Sequence, residues 1–433
     1  MKKLLLLLKR QPSERLIVLG FIIVILFGTA LLLLPFSTKP EVEISFLDSL
    51  FTSTSAVCIT GLTVVDTGDS FTVFGRIVVA ILIQTGGLGI TSIGAGFILA
   101  AGGKISLKGR RLVKEALNVN SSKGIICLVK DVLLMSVCFE LVGSALSFIV
   151  FIQDFPPLKA LEISFFHSIA SYCNAGFDIL GGMQNLIRYQ SDLFLNLITC
   201  VLIIAGGLGF LVIIDIRRNH SFRKLCFHSK VVITTTSVLL LLGLLSLKAT
   251  ENISWLGAFF QSVSARTAGF CTYPVGEFST AGLFTLLILM FIGASPGSTG
   301  GGIKTSTFFV LAQSVRSLIT MRKPEAFHRS IAKESISKAF MITFLSFLVI
   351  LTGTFLLCMI HPELSFMEIL FEVTSAFGTV GLSTGITPAL AGAGKIVIIL
   401  IMFTGRLGAL TLISILARRQ LPNARYAEET ITI

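Results

Sequence analysis

The chain has 433 residues, of which 53% are hydrophobic and 13% charged, and its net charge is +12. This excludes a soluble protein, because apolar runs near the ~20 residues that cross a bilayer recur along the whole length. The positive charge does not point to nucleic acid: basic clusters alternate with acidic loops, the pattern of a multi-pass protein with its positive loops inside.

In chain order, Lys2, Lys3 and Leu4 resemble the start of a secretory leader. Lys9 and Arg10 interrupt the leucine run, and no small-residue cleavage site follows Leu34-Pro35-Phe36, so a retained first helix is expected. The first quarter then predicts an outer helix at about 16 to 36, a short pore helix at about 45 to 57, a loop around Gly61, and an inner helix at about 72 to 101. The second predicts 125 to 152, 160 to 172, Gly176 and 192 to 216. The third predicts 231 to 248, 254 to 265, Gly269 and 280 to 315; the fourth 339 to 360, 364 to 376, Gly381 and 395 to 417. The expected architecture is an all-α membrane domain over 1–433: eight transmembrane helices plus four re-entrant pore helices in four membrane-pore-membrane repeats (16–101, 125–216, 231–315, 339–417) around a pseudo-fourfold pore. Basic clusters at 2–15, 104–130, 217–230, 316–338 and 418–425 place both ends and three loops in the cytoplasm.

The repeat rests on one pattern. Phe51, Phe166, Phe259 and Phe371 each precede a glycine, Gly61, Gly176, Gly269 or Gly381, by ten residues. The intervening stretches are rich in Ser, Thr and Ala, and too short to span. Non-helical backbone at membrane depth must line water or be buried in protein. Four such loops fit a ring of carbonyls that replaces the hydration shell of a cation. Glycine adopts the conformations that aim successive carbonyls at one axis. The candidate ion-binding residues are Ile59, Thr60 and Gly61; Asn174, Ala175 and Gly176; Thr267, Ala268 and Gly269; Thr379, Val380 and Gly381. Thr54, Ser55, Ser262, Thr374 and Ser375 are expected to tie the loops from behind. A plain turn at each glycine is the alternative.

A second repeat lies roughly 25 to 30 residues after each of these glycines: Thr85-Gly86-Gly87-Leu88-Gly89, Ala205-Gly206-Gly207-Leu208-Gly209 and Thr404-Gly405-Arg406-Leu407-Gly408. Close helix packing explains the first two as well as any function does. The third quarter has instead Gly293, Ser295, Pro296, Gly297, Ser298, Thr299, Gly300, Gly301 and Gly302, which cannot hold a continuous helix. The expectation is a movable gate under the filter, the alternative a cytoplasmic loop. Lys304 ends this segment. Arg406 sits in an apolar helix, where it either repels permeating cations or forms a structural salt bridge. Arg266 is expected to pack behind the third filter with an acidic partner, for which Glu372 is a candidate. No catalytic triad, phosphate loop, Cys-x-x-Cys pair or metal-ligand spacing of histidines stands out, so an enzyme is not expected.

These phrases together resemble the Trk/Ktr/HKT superfamily of potassium transporters, and specifically the bacterial Ktr-type membrane subunit. The resemblance runs from Leu16 to about Arg419 and is carried by residues 54–62, 174–177, 265–270, 295–301 and 375–382. The chain starts directly in the first quarter, without the extra N-terminal helix pair of Trk-type relatives. The resemblance implies potassium uptake through one pore per chain, with K+ at the filter carbonyls. It implies a homodimer in the bacterial cytoplasmic membrane, gated by residues 293–305 beside Arg406. It also implies a cytoplasmic ring of nucleotide-binding regulatory subunits, no cofactor in this chain, and Na+ as an activator of the type. Sodium-favouring relatives carry serine at the first filter position, so Gly61 argues for potassium. A sodium-coupled secondary transporter is the rival; it predicts two inverted repeats rather than four parallel ones.

Overall fold

The computed structural model describes residues 13–100, 107–116 and 124–408. The basic cluster at the C-terminal end, most of the one at 2–15 and parts of the one at 104–130 lie outside the described residues.

Four segments repeat one arrangement. An outer helix packs on a short pore helix, and an inner helix follows. The first has α1 (Ser13–Leu32), α2 (Phe46–Cys58) and an inner pair, α3 (Val73–Gly87) and α4 (Ile90–Ala100). After α5 (Leu107–Ala116), the second has α6 (Ile125–Phe151), α7 (Pro157–Tyr172), α8 (Leu193–Leu208) and α9 (Phe210–Asn219). The third has α10 (Phe227–Thr250), α11 (Trp255–Ser264), α12 (Thr280–Phe291) and α13 (Thr305–Thr320). A hairpin of β1 (Glu325–Ala326) and β2 (Arg329–Ser330) leads to the fourth: α14 (Lys333–Ile360), α15 (Phe366–Gly378) and α16 (Gly392–Leu407).

The pore helices start where their sequences supply caps. Ser45, Ser254 and Ser365 each accept a hydrogen bond from a backbone N–H in the first turn, and Glu368 completes a capping box with Ser365. In α7, Pro157 takes the first helical position, where no N–H is needed. Their faces are polar inward. Ser53 donates to the Ile25 carbonyl at 2.7 Å, Ser168 to Glu140 at 2.7 Å and Ser262 to Leu240 at 2.9 Å. Each bond pins a pore helix to its outer helix; Val373 holds the fourth position. The outside is apolar, with Ile23, Phe27, Phe344 and Phe355 more than half exposed, as lipid-facing helices require.

The inner helices differ from the sequence expectation. Continuous helices over 72–101 and 192–216 were expected. The chain instead bends by 101° between α3 and α4, and by 98° between α8 and α9. The last glycine of each motif makes the break: Gly89 has φ 82° and Gly209 φ 92°. Gly408 has φ 83° and closes α16 in the same way; the expected continuation to 417 lies outside the described residues. Among the described residues, α1, α10 and α14 are long and apolar enough to span unbroken, and the two bent pairs qualify only as pairs.

Candidate functional site: a ring of four glycines

Each pore helix ends at the same kind of turn. Ile59 (φ 57°), Asn174 (57°), Thr267 (85°) and Thr379 (50°) are all left-handed, and two residues later so are Gly61 (87°), Gly176 (68°), Gly269 (78°) and Gly381 (95°). A main-chain bond holds every turn: Thr60 N–H to Ser55 O at 2.8 Å, Ala175 to Ala170 at 2.7 Å, Ala268 to Ser264 at 2.9 Å and Val380 to Ser375 at 2.9 Å.

The four turns meet. A Cβ on Gly61 would lie 2.5 Å from the carbonyl oxygen of Ala175, and one on Gly176 would lie 2.7 Å from that of Ala268. A Cβ on Gly269 would strike the oxygen of Val380, and one on Gly381 that of Thr60. The contacts run from the first repeat to the second, third and fourth and back to the first, so the ring is closed around one axis. Glycine is required here twice over, by the positive φ and by the neighbour's carbonyl. The pore helices present their C-terminal ends, the negative poles of their dipoles, to the ring.

The supports behind the ring differ in part from expectation. Ser55 Oγ accepts from Gly61 N–H at 3.1 Å and donates to Leu62 O at 2.7 Å; Ser375 accepts from Gly381 N–H at 3.1 Å. In the third repeat Ser264, not Ser262, reaches its loop, by bonding the Phe270 carbonyl. Among the described residues, the Thr54 and Thr374 hydroxyls are buried without a partner. The same shift shows that Phe260, fully buried, is the counterpart of Phe51, Phe166 and Phe371; Phe259 is only partly buried. From its capping serine to its ring glycine the third repeat is therefore one residue shorter, Ser254 to Gly269 against Ser45 to Gly61 and Ser365 to Gly381.

Beneath the ring runs the segment 293–304, between α12 and α13. Its backbone bonds to groups freed by the break in the second inner helix: Ser295 N–H to Gly207 O at 3.1 Å, Thr299 N–H to Gly206 O at 3.3 Å, and Phe210 N–H to Gly297 O at 3.0 Å. Gly301 N–H donates to Thr379 Oγ1 at 2.9 Å, and Gly300 sits against Thr267, so the segment touches two of the ring's own residues. Ser298 donates to Ser295 O at 2.6 Å, and Pro296 O packs on Gly209. Lys304 Nζ donates to Gly300 O at 2.6 Å and Gly301 O at 3.3 Å, folding back on the segment. Gly302 has φ 68°, and Ile303 bridges back to Ile292.

Arg406 donates to two carbonyls, Thr299 O in this segment and Gly86 O in the first inner helix. Neither partner is a carboxylate, so the salt-bridge alternative does not hold among the described residues. Arg266 does not pair with Glu372 either. It donates to Gly293 O at 3.3 Å, whereas Glu372 accepts from Thr387. Arg266 leaves the C-terminal end of its helix toward the segment; Glu372 leaves the middle of α15 toward the outer loop. In the inner-helix motifs, Gly86, Gly206 and Gly405 press against the carbonyls of Val57, Tyr172 and Phe377, so close packing is one of their roles.

Three residues near the ring were not singled out from the sequence. Asn185 Nδ2 donates to Gly176 O at 3.2 Å, and its Oδ1 accepts from Cys271 N–H at 3.2 Å, tying the second and third loops at the outer end. Gln84 donates to Glu140 at 2.8 Å and accepts from the Cys173 thiol at 3.3 Å, next to Asn174. A carboxyl group inside an apolar span was the available signal for Glu140. Adjacent repeats are further joined by matching ion pairs from inner helix to next pore helix: Arg76–Glu162 at 3.0 Å, and Lys395–Asp48 at 2.7 Å.

Above the ring a cavity of about 200 Å³ opens, lined by the four glycines with Asp66, Thr67, Asp178 and Asn185. Asp178, outside the spanning helices, has its pKa pushed up to about 7, mainly by burial and further by Asp66 and Asp69.

Four pore helices aimed at one closed ring of main-chain oxygens define a membrane protein of the pore-loop class. The particular family follows from comparison with known proteins. The chain belongs to the TrkH family, described as cation transport protein, whose model matches residues 2–251 and 225–429. It is 39% identical to the potassium/sodium uptake protein NtpJ of Enterococcus hirae over 98% of both chains. It is 40% identical to Ktr system potassium uptake protein B of Bacillus subtilis, over 97% of this chain and 96% of that one. The structure of the potassium transporter TrkH from Vibrio parahaemolyticus matches with a TM-score of 0.70 at 21% identity, covering 92% of this chain and 84% of that one. That likeness establishes the fold. These relatives are transporters, not enzymes.

Proposed function

We propose that this chain takes up potassium across the cytoplasmic membrane along the axis of the glycine ring. The observation that carries the proposal is the cyclic contact of Gly61, Gly176, Gly269 and Gly381 with the carbonyls of Ala175, Ala268, Val380 and Thr60. Residues 59–61, 174–176, 267–269 and 379–381 form the selectivity filter, whose oxygens stand in for the water stripped from K+. The segment 293–304, held by Arg406 and Lys304, is the gate. It lies under the filter, and a continuous path requires it to move.

Both termini and the hairpin of β1 and β2 face the cytoplasm by the distribution of Lys and Arg. A homodimer controlled by a cytoplasmic nucleotide-binding ring is part of the proposal, supported by the likeness to Ktr system proteins. The name of the Enterococcus hirae relative makes sodium, as activator or second cargo, the ion to vary. The test is 86Rb+ and 22Na+ uptake by the purified chain in liposomes, with and without a candidate regulatory ring. Rubidium uptake that exceeds sodium uptake and responds to the ring is expected. Equal leak of both ions from a folded chain would overturn the proposal.

A further inference from the structure

The far end of α13 carries a feature that transport does not use. With sixteen residues α13 is about 24 Å long. Starting beneath the ring, it outruns the ~15 Å of half a hydrocarbon core. In the orientation proposed above, with α13 running toward the inner leaflet, its last turn emerges at headgroup level. There the chain turns at Met321 (φ 52°) into the hairpin of β1 and β2. Phe327 fixes the hairpin, its ring 6.2 Å from Phe222 and 6.4 Å from Phe227 at the start of α10.

Between the hairpin and α13 lies a cavity of about 260 Å³, lined by Arg316, Arg322, Lys323 and His328, with Gln313 and one carboxylate, Glu325. Among the described residues, none of these four basic side chains is in an ion pair. On the same turn, Leu318 is 75% exposed, Ile319 78% and Met321 91%. Unpaired basic heads beside exposed aliphatic side chains at a helix end match an anionic membrane surface. The neighbouring helix α14 packs against α13 and also exposes apolar side chains, Phe340, Met341 and Phe344. Exposed apolar side chains on both helices favour lipid over a soluble partner.

We propose that this pocket binds the phosphate of an anionic phospholipid in the inner leaflet, with Leu318, Ile319 and Met321 seated among acyl chains. The inference rests on the orientation proposed above. It has a functional consequence, because α13 continues directly from the segment 293–304. Thr305 Oγ1 donates to Ser295 Oγ at 3.1 Å at the other end of the helix. A lipid that anchors the outer turn of α13 thus fixes one attachment point of the proposed gate.

The test is native mass spectrometry of the full chain in detergent, titrated with phosphatidylglycerol, phosphatidylethanolamine or inorganic phosphate. Phosphatidylglycerol is expected to bind in preference to the zwitterionic lipid. R316Q/R322Q/K323Q should weaken it about a hundredfold, from roughly a factor of five per basic residue at the surface. The charge-preserving R316K/R322K variant should keep binding, as should K159Q/R188Q, which removes two cations elsewhere. Equal binding of both lipids, no loss in the triple variant, or occupation of the pocket by free phosphate alone would each overturn the lipid assignment. Orientation is read separately, by labelling S330C in intact cells with a membrane-impermeant maleimide, against the unmodified chain. Labelling only after permeabilisation is expected. Labelling from outside overturns the orientation, whereas inside labelling with no lipid preference overturns this inference alone.

Discussion

The ring and the segment beneath it solve opposite problems with the same backbone chemistry. The ring is four turns of one kind, with positive φ at the same two positions; the main-chain bond spans five residues in three of them and four in that of the third repeat. The segment 293–304 exists once, and its anchors come from unlike places: carbonyls of Gly206 and Gly207, the Thr379 hydroxyl, and the Arg406 guanidinium. A spherical ion is matched by repeating one geometry around it. As the proposed gate, the segment must be able to leave without dismantling the repeat, and a single asymmetric stretch bonded mostly by its own backbone meets that need. The comparison predicts that damage to the ring changes which ion passes, whereas damage to the segment changes how much passes.

The largest effect belongs to the ring. Gly61→Ser forces a side chain into a φ of 87° and against Ala175 O, 2.5 Å from the new Cβ. A non-glycine residue there costs roughly 1–2 kcal/mol, and about 1.4 kcal/mol is tenfold. Preference for potassium over sodium should fall about tenfold or more in competitive uptake assays; unchanged preference removes Gly61 from the filter. Next comes Arg406→Gln, which removes charged bonds to Thr299 O and Gly86 O. Each such bond is worth roughly 1.5–3 kcal/mol and about 1.4 kcal/mol is tenfold, so flux without the regulatory ring should rise by about tenfold for the loss of one bond and by more if both are lost, with selectivity retained. Deleting residues 296–302 should act in the same direction. A folded but silent deletion variant would break the comparison, because the segment would then be needed for conduction.

Much of this was legible in the sequence, for reasons that also explain the gaps. Four glycines in register show themselves because every repeat must satisfy the same geometry. The short pore helices show in their length, too short to span. The one-residue shift of the third repeat did not, because Phe259 and Phe260 are adjacent and either satisfies the pattern. The bends at Gly89 and Gly209 were hidden by a motif with two roles: its first glycine packs on a pore helix and its last breaks the inner helix. Asn185 sits in a turn nine residues past Gly176, where spacing alone carries no signal. The Arg266–Glu372 pairing failed because charge complementarity says nothing about which way two pore helices aim their side chains.

Below ring and segment in expected effect lies the chain from Glu140 through Gln84 to Cys173. It reaches the second of the four ring turns at Cys173, so it tests whether one repeat can be perturbed without loss of the others. Gln84→Leu leaves Glu140 without its 2.8 Å donor and frees the Cys173 thiol beside Asn174. The apparent KM for potassium should rise about three- to fivefold, as one hydrogen bond of about 1 kcal/mol allows. Gln84→Glu, which keeps the shape but faces a second carboxyl, should do more. A change in maximal flux with KM untouched would move Gln84 from the filter's support to the gate's.

The smallest effect tests the mouth above the ring. Burial, helped by Asp66 and Asp69, raises the Asp178 pKa to about 7, so this carboxyl is charged above that pH and neutral below it. Lowering the pH on the cavity's side from 8 to 6 therefore removes one negative charge from the cavity above the ring. A unit charge some 8 Å from the ion in a water-like medium is worth roughly 0.5 kcal/mol, so uptake at subsaturating potassium should fall about twofold across that range. Asp178→Asn should hold uptake at the lower level throughout and flatten the profile. Asp66→Asn keeps Asp178 but removes one of the charges that raise its pKa, so the inflection should move to lower pH. Because the ring's oxygens are main-chain carbonyls with no proton to lose, a pH step that persists in Asp178→Asn would have to come from outside the ring, and selectivity across the step should stay constant.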